Sequence, residues 1–424
     1  MRRPRNIKFP EKILQKIKPV FIQGGRLSFL QSTFEAFESF LLVPGRVTKK
    51  GSHIRDCNDL KRVMIVVVVA LIPSLLFGMY NTGWQHYTAM GTQAAQVDFF
   101  RVFWYGFLKV LPLLIVSYGV GLGIEFAIAQ IRRQEVNEGY LVTGMLIPLI
   151  VPVTIPLWML AVAVAFAVLI GKEIFGGTGM NIWNPALLAR AFLFFSYPGY
   201  MTGDTIWVDG VSGATPLAQL AEATTPLAQV TNTLTQAAES TSWLGRMAES
   251  VGLTEVFSHI TEVFASLSQA GTIPGLPSWT DMFLGFVPGS VGETSVLCIL
   301  LGAAILLFTG VASWKVMLSC VAGASLMALA GNIPIHYHLV MGGFTFGCVF
   351  MATDPVTGPQ TETGKWIFGF LIGLLTILIR LFNPGYPEGM MLAVLLMNTF
   401  APLIDHAVVA ANVRRRKKRI AAHG

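Results

Sequence analysis

The sequence is short of charge. Only 12% of its 424 residues are Asp, Glu, Lys or Arg, about half the share in an ordinary soluble domain. A chain of this length with so few charges is not a soluble enzyme. Cysteine is scarce too: Cys57, Cys298, Cys320 and Cys348 form no C-x-x-C pair. That excludes a secreted disulfide scaffold and a cysteine-based zinc site. No G-x-G-x-x-G follows a strand-like run, so a dinucleotide-binding turn is not expected here. The first 62 residues are polar and basic and contain no early apolar run, so no signal peptide is expected.

What the chain has instead is apolar length. Hydrophobic residues make up 53%, concentrated in runs that match a membrane crossing of about 20 residues, or fewer where a helix is broken and shielded by protein. Runs near 63–80, 104–130, 141–153, 155–171, 184–198, 293–312, 316–331, 336–352, 366–382 and 389–411 predict about ten spans. Pro152 and Pro156 separate the third from the fourth and predict half-helices there.

Charge placement orients these spans. The formal net charge is +7, which alone would allow a nucleic-acid partner. With ten spans and an inner N-terminus, however, all of the 30 basic residues fall on inner segments except Arg101, Lys109, Arg190, Arg246 and Arg380. This count takes Lys172, Lys315 and Lys365 as inner-loop cations. The basic excess is therefore a topology signal, and nucleic acid is excluded as a partner.

Five regions follow: a basic N-terminal region (1–62), a first membrane unit (63–198), an outer loop (199–292), a second membrane unit (293–411) and a basic tail (412–424). In the first, Phe34, Phe37, Phe40 and Leu41 recur at helical spacing and predict a short amphipathic helix. The outer loop carries one basic residue, Arg246, and a duplication: Ala214-Thr215-Pro216-Leu217-Ala218-Gln219 returns as Thr224-Thr225-Pro226-Leu227-Ala228-Gln229. Residues 217–268 are compatible with amphipathic helices. A weaker repeat relates the two membrane units, with Leu141–Met145 resembling Leu339–Gly343, Val151–Pro156 resembling Asp354–Pro359 and Glu173–Gly177 resembling Arg380–Pro384. Five spans on each side of the loop make the units inverted. The expected fold is an all-α integral membrane protein of about ten transmembrane helices in two inverted five-helix repeats, urea-transporter-like.

Several motifs could carry chemistry, each with a plainer alternative. Asp209-Gly210-Val211-Ser212-Gly213-Ala214-Thr215 offers an open hydroxyl on a small-residue turn; an ordinary loop turn explains the same residues. Gly176-Gly177-Thr178-Gly179 fits a phosphate-binding turn before the fifth span, or a simple helix break. Asn181 and Asn184, three apart, would share a helix face and could hydrogen-bond a ring edge or a neighbouring helix. Gly119, Gly121 and Gly123, with Glu125 beyond, either open space for a flat ring or pack closely on another helix. Glu125, Glu138, Glu173, Asp354 and Asp405 stand in or beside apolar spans, where ionisable groups are costly and tend to be functional; they suit Na⁺ or a proton relay. Asp405 could instead cap a helix or pair with the basic tail. His336 and His338 have no nearby carboxylate or thiolate partner, so no metal site is expected.

Taken together, D-x-x-S-G-A-T at 209–215, Lys172–Gly179, Asn181, Asn184–Leu187, Asn137-Glu138-Gly139 and Met351–Pro355 resemble one family over roughly residues 60–410. It is the family of homologous membrane subunits found in sodium-translocating NADH:quinone oxidoreductases (the B component of that complex) and in Rnf complexes (the D component). The long N-terminal extension favours the former.

The resemblance implies FMN joined by a phosphoester to Thr215, within an attachment motif contributed by Asp209, Ser212, Gly213 and Ala214. It implies a second, non-covalent flavin, riboflavin, assigned to Asn181 and Asn184. Quinone, the substrate, is assigned to Gly121, Gly123 and Glu125. An ion path is assigned to Glu138, Glu173, Asp354 and Asp405. Implied partners are a NADH-oxidising flavoprotein with an iron–sulfur centre, a second FMN subunit, small membrane subunits and a flavin transferase. The implied location is the bacterial cytoplasmic (inner) membrane, with both termini cytoplasmic. The competing readings are a stand-alone secondary transporter or channel, the homologous Rnf component, and a scaffold whose outer loop only binds partners. A covalent flavin separates the first and last of these from the redox subunit.

Overall fold

The computed structural model describes Pro19 and residues 60–91, 97–132, 139–203, 215–219, 277–330, 335–382 and 388–423. The amphipathic segment around Phe34–Leu41, Glu138, the motif residues Asp209, Ser212, Gly213 and Ala214, Thr225 and helices expected within 220–268 lie outside the described residues.

Every regular element among the described residues is helical. The long ones are α1 (Leu60–Ala89), α2 (Phe99–Arg132), α3 (Tyr140–Leu149), α4 (Leu157–Val168), α5 (Pro185–Ser196), α6 (Val296–Phe308), α7 (Trp314–Ala330), α8 (Glu362–Phe382) and α9 (Met390–His423). Four of them, α1, α2, α8 and α9, are long and apolar enough to cross a membrane. Helices α3, α5, α6 and α7 are shorter but apolar.

The surface is inverted relative to a soluble protein. Leu108, Ile115, Leu301, Leu318 and Leu403 are exposed, while Glu125, Lys172, Arg190, Glu293 and Arg380 are buried. Water would reverse that distribution; hydrocarbon favours it. The chain is a membrane protein, all-helical among the described residues.

Without a hydrophobic drive to bring helices together in lipid, close packing must do so, and small residues allow it. Helix α7 lies along α8, where a Cβ on Gly323 would meet the Phe370 carbonyl, one on Gly369 the Val316 carbonyl and Ser319 hydroxyl, and one on Gly373 the Cys320 carbonyl. The α1–α2 contact is made the same way: Gly106 sits on the Met79 carbonyl and Gly83 on that of Val102.

The break foreseen between the third and fourth spans is present. Helix α3 ends at Leu149, and the chain turns through Val151–Ile155 before Pro156 opens α4 in an extended conformation. Proline at 152 and 156 removes two amide donors and pushes the residue before each away from helical geometry. The freed Leu149 carbonyl is not wasted: the Gly292 amide donates to it at 2.8 Å. That contact ties the end of α3 to the segment just ahead of α6. In the second unit, the short helices Ile335–Val340 and Phe344–Phe346 are separated by a turn at Met341–Gly343, with Gly342 at φ +66°. A π-helical turn, Gly347–Met351, follows; another, Leu169–Glu173, extends α4.

Candidate functional site

Two groups of buried charges organise the interior. The first joins α2 to the end of α4. Lys172, in the π turn, pairs with Glu125 of α2, both buried. The Lys172 ammonium also lies 5.8 Å from the Tyr140 ring centroid. Next to it, Arg132 donates to the Glu173 carboxylate at 3.2 Å and to the Glu173 carbonyl at 2.8 Å. Lys172 is thus not the free loop cation of the charge count. An ammonium buried this deeply needs a counter-charge, and Glu125 supplies it.

The second group joins α5 to the chain on either side of α8. Arg190 of α5 pairs with Glu293 at 2.6 Å and lies 3.8 Å from Glu388. Arg380, at the end of α8, donates to the carbonyls of His338 (2.6 Å) and Met341 (3.1 Å), and the Glu388 carboxylate accepts the Gly343 amide at 3.0 Å. Arg190 and Arg380 stand out in the sequence as exceptions to the inner basic excess; that was the available signal for this group. Glu293 and Glu388 have none, because nothing local distinguishes them from surface acids.

Beside the first group lies a cavity of about 80 Å³ whose lining includes Lys172, Thr178, Asn181, Asn184, Asp354 and Phe350. Asn181 and Asn184 both face it, as the ring-binding assignment needs, but not as neighbours on a helix. Asn184 is the N-cap of α5: it is extended (φ −66°, ψ 119°), and its side-chain oxygen accepts from the Ala186 and Leu187 amides. Pro185 at the first helical position explains the stop, since it forces an extended residue before it. Asn181 precedes the helix and donates to the Trp183 carbonyl at 3.1 Å.

The same finding relocates the glycine turn. Gly176, Gly177 and Gly179 have φ of 116°, 97° and 93°, left-handed values that favour glycine. They reverse the chain ahead of α5 and do not form its N-terminus.

The other assigned residues are dispersed. Gly121 lies against the Tyr140 ring, whereas a Cβ on Gly119 or Gly123 would meet none of the described residues within 4 Å. Positions two apart on a helix point about 200° away from one another, so Gly121 and Glu125 share the protein-facing side and Gly123 faces outward. The Asp354 carboxylate accepts from the Val356 amide (3.0 Å), the Thr357 hydroxyl (3.1 Å) and the Asn184 amide nitrogen (3.3 Å). Asp405 accepts from the Gln360 and Thr361 amides and the Thr361 hydroxyl; it holds the loop entering α8 and does not pair with the basic tail.

Thr215 is half-buried at the rim of a second, smaller cavity, about 30 Å³, that also includes Ser290, Glu293, Gly342 and Glu388 in its lining. Its amide donates to the Gly203 carbonyl at 2.8 Å. Its hydroxyl donates to the same carbonyl at 3.3 Å and accepts from the Ala218 amide at 3.3 Å.

Interrupted helices and buried ion pairs inside an apolar, lipid-compatible shell define a polytopic membrane protein. Similarity to known proteins narrows this. A family model described as "NQR2, RnfD, RnfE family" matches residues 47–414, and the chain belongs to that family. It is 42% identical to the B component of the Na(+)-translocating NADH-quinone reductase of Chromohalobacter salexigens, over 97% of this chain and 96% of the relative. It is 41% identical to the protein of the same name from Klebsiella pneumoniae strain 342 (96% and 98%). The identity to that of Stutzerimonas stutzeri is 42% (96% and 98%).

Proposed function

We propose that this chain is the membrane subunit of a Na⁺-translocating NADH:quinone reductase that carries electrons through covalently bound FMN and riboflavin to quinone, coupled to Na⁺ export. The observation that carries this reading is likeness along nearly the whole chain to proteins named as the B component of that complex. When bound, the flavins supply electron transfer, which no side chain here provides.

The residues fit both flavins. Thr215 presents a hydroxyl at a cavity rim while Pro216, Leu217 and Ala218 beside it are buried, so the attachment point is held and still reachable. At the inner cavity the Thr178 hydroxyl is buried with no partner among the described residues, next to Asn181 and Asn184. A polar ring edge would satisfy it. Lys172 and Glu125 neutralise each other within the same region, so the Lys172 charge at the cavity wall is compensated. Glu173, Asp354 and Asp405, together with Glu138, remain the proposed ion-path carboxylates, and Gly121, Gly123 and Glu125 the proposed quinone contacts.

The proposed layout is ten spans in two inverted units within the bacterial inner membrane, both termini cytoplasmic. Supporting it, α1 packs on α6 and α5 on α9, which are equivalent helices in such an arrangement. The proposed partners are a NADH-oxidising flavoprotein, a second FMN subunit, small membrane subunits and a flavin transferase.

The test is in-gel flavin fluorescence after denaturation, on wild type and Thr215→Ala co-expressed with the transferase. A covalent signal that disappears in the variant supports the reading and removes the bare transporter. Absence of signal in the wild type overturns it, and substrate uptake in proteoliposomes becomes the next experiment.

A further inference from the structure

The segment that follows Thr215 is fastened to the protein in an unusual way. Residues 216–219 form one helical turn, opened by Pro216, which is preorganised for that position. The turn drives Leu217 into a socket made by Met282, Val287, Val296, Tyr337, Val340 and Met341, leaving it 3% exposed. A single short turn has almost no stability of its own, so its position depends on what Leu217 packs against.

The floor of the socket is the turn at Gly342. A Cβ there would meet the Leu217 side chain at 2.7 Å, the Glu388 carboxylate at 3.2 Å and the Arg380 guanidinium at 3.3 Å. Gly342 is therefore where the apolar plug and the charged group converge. Arg380 holds this floor by bonding the His338 and Met341 carbonyls, the acceptors that the end of the short helix leaves open. Glu388 holds it from the other side through the Gly343 amide and reaches Arg190 of α5.

The chemistry at Thr215 makes this anchor matter. Two of the three hydrogen bonds there use the side-chain oxygen. An ester on that oxygen has no hydrogen left to donate, so the side-chain bond to the Gly203 carbonyl is necessarily lost. What then remains is the backbone bond from the Thr215 amide, a weakened acceptance from the Ala218 amide by the ester oxygen, and the buried Leu217.

We infer that Leu217, seated on the Gly342 turn that Arg380 and Glu388 brace, is the positioning residue that fixes a flavin carried by Thr215 over the outer cavity. The inference rests on the proposed flavin attachment. It assigns Leu217 no part in forming the bond.

The experiment uses the full chain co-expressed with the flavin transferase and reconstituted in lipid, as wild type, Leu217→Ala, Leu217→Asp and Leu217→Met. Denaturing-gel fluorescence gives the covalent flavin yield. Polarised flavin fluorescence of the native protein gives its freedom of motion, with the Thr215→Ala protein subtracted to remove any flavin held without a bond. The expected result is an unchanged covalent yield in every variant, loss of anisotropy in Leu217→Ala and Leu217→Asp, and recovery in Leu217→Met, which refills the socket. Wild-type anisotropy in Leu217→Asp overturns the inference while leaving the flavin assignment intact. A lost covalent yield in Leu217→Asp also overturns it, because Leu217 would then serve the transferase. Absence of covalent flavin from the wild type overturns both.

Discussion

Asn184 joins the two halves of the protein: its side-chain oxygen caps α5, and its amide nitrogen donates to the Asp354 carboxylate 3.3 Å away, 170 positions along the chain. An aspartate could do the first of these jobs but not the second. Asn184→Ala should lose the cap, at about 0.5–2 kcal/mol, and leave Asp354 with one donor fewer. Asn184→Asp should keep the cap but set two carboxylates against each other, so it too should unfold at a lower temperature than wild type. Thermal unfolding in detergent checks this; an Asn184→Asp protein as stable as wild type would remove the link to Asp354.

The Glu125–Lys172 pair is buried on both sides. Lys172→Met strands a carboxylate in an apolar interior, a loss of about 3–5 kcal/mol. The double variant Glu125→Gln with Lys172→Met should recover most of it, since a neutral pair of similar volume carries little desolvation cost. A double-mutant cycle on unfolding temperature measures the coupling; additive losses would contradict a direct pair.

Glycines on α2 and α8 should respond oppositely to the same change. Gly373→Ala forces a methyl onto the Cys320 carbonyl of α7 and should destabilise by about 1–3 kcal/mol. Gly119→Ala meets no described residue within 4 Å and should be neutral or gain up to about 1 kcal/mol of helix propensity. Comparing the two unfolding temperatures in one membrane mimetic tests whether α7 and α8 touch where they are described.

The loop carries an internal control for flavin attachment. Thr225 repeats the Pro-Leu-Ala-Gln that follows Thr215 but lacks the Ser-Gly-Ala before it. Thr225→Ala should leave the covalent signal of the denatured protein intact. A signal lost from Thr225→Ala and kept in Thr215→Ala would move the attachment point.

Much of this was written locally. The lack of charge and the apolar runs set the membrane class, because hydrocarbon admits little else. Pro152 and Pro156 set the break after α3, because a missing amide and a steric restriction act on adjacent residues. Pro185 also carried a local signal, since it ends any helical reading of Asn181 and Asn184 before α5 begins; treating the two as one helix face overlooked it.

The partners of the charged residues were not local. Lys172 pairs with a residue 47 positions earlier, and Arg190 with one 103 positions later. Burial demands a counter-charge for each, but any nearby carboxylate would satisfy that demand, and only the packing of α2, α4, α5 and the second unit selects Glu125 and Glu293. Leu217 was legible as one apolar residue in a polar loop, and nothing in its neighbourhood marks it as a plug. The sequence alone determined the solvent this protein folds in and where its helices must stop, and it set Ser-Gly-Ala before Thr215 and not before Thr225. Tertiary structure alone decided which charges neutralise each other and what holds Thr215 in place, because those depend on distances between segments far apart in the chain.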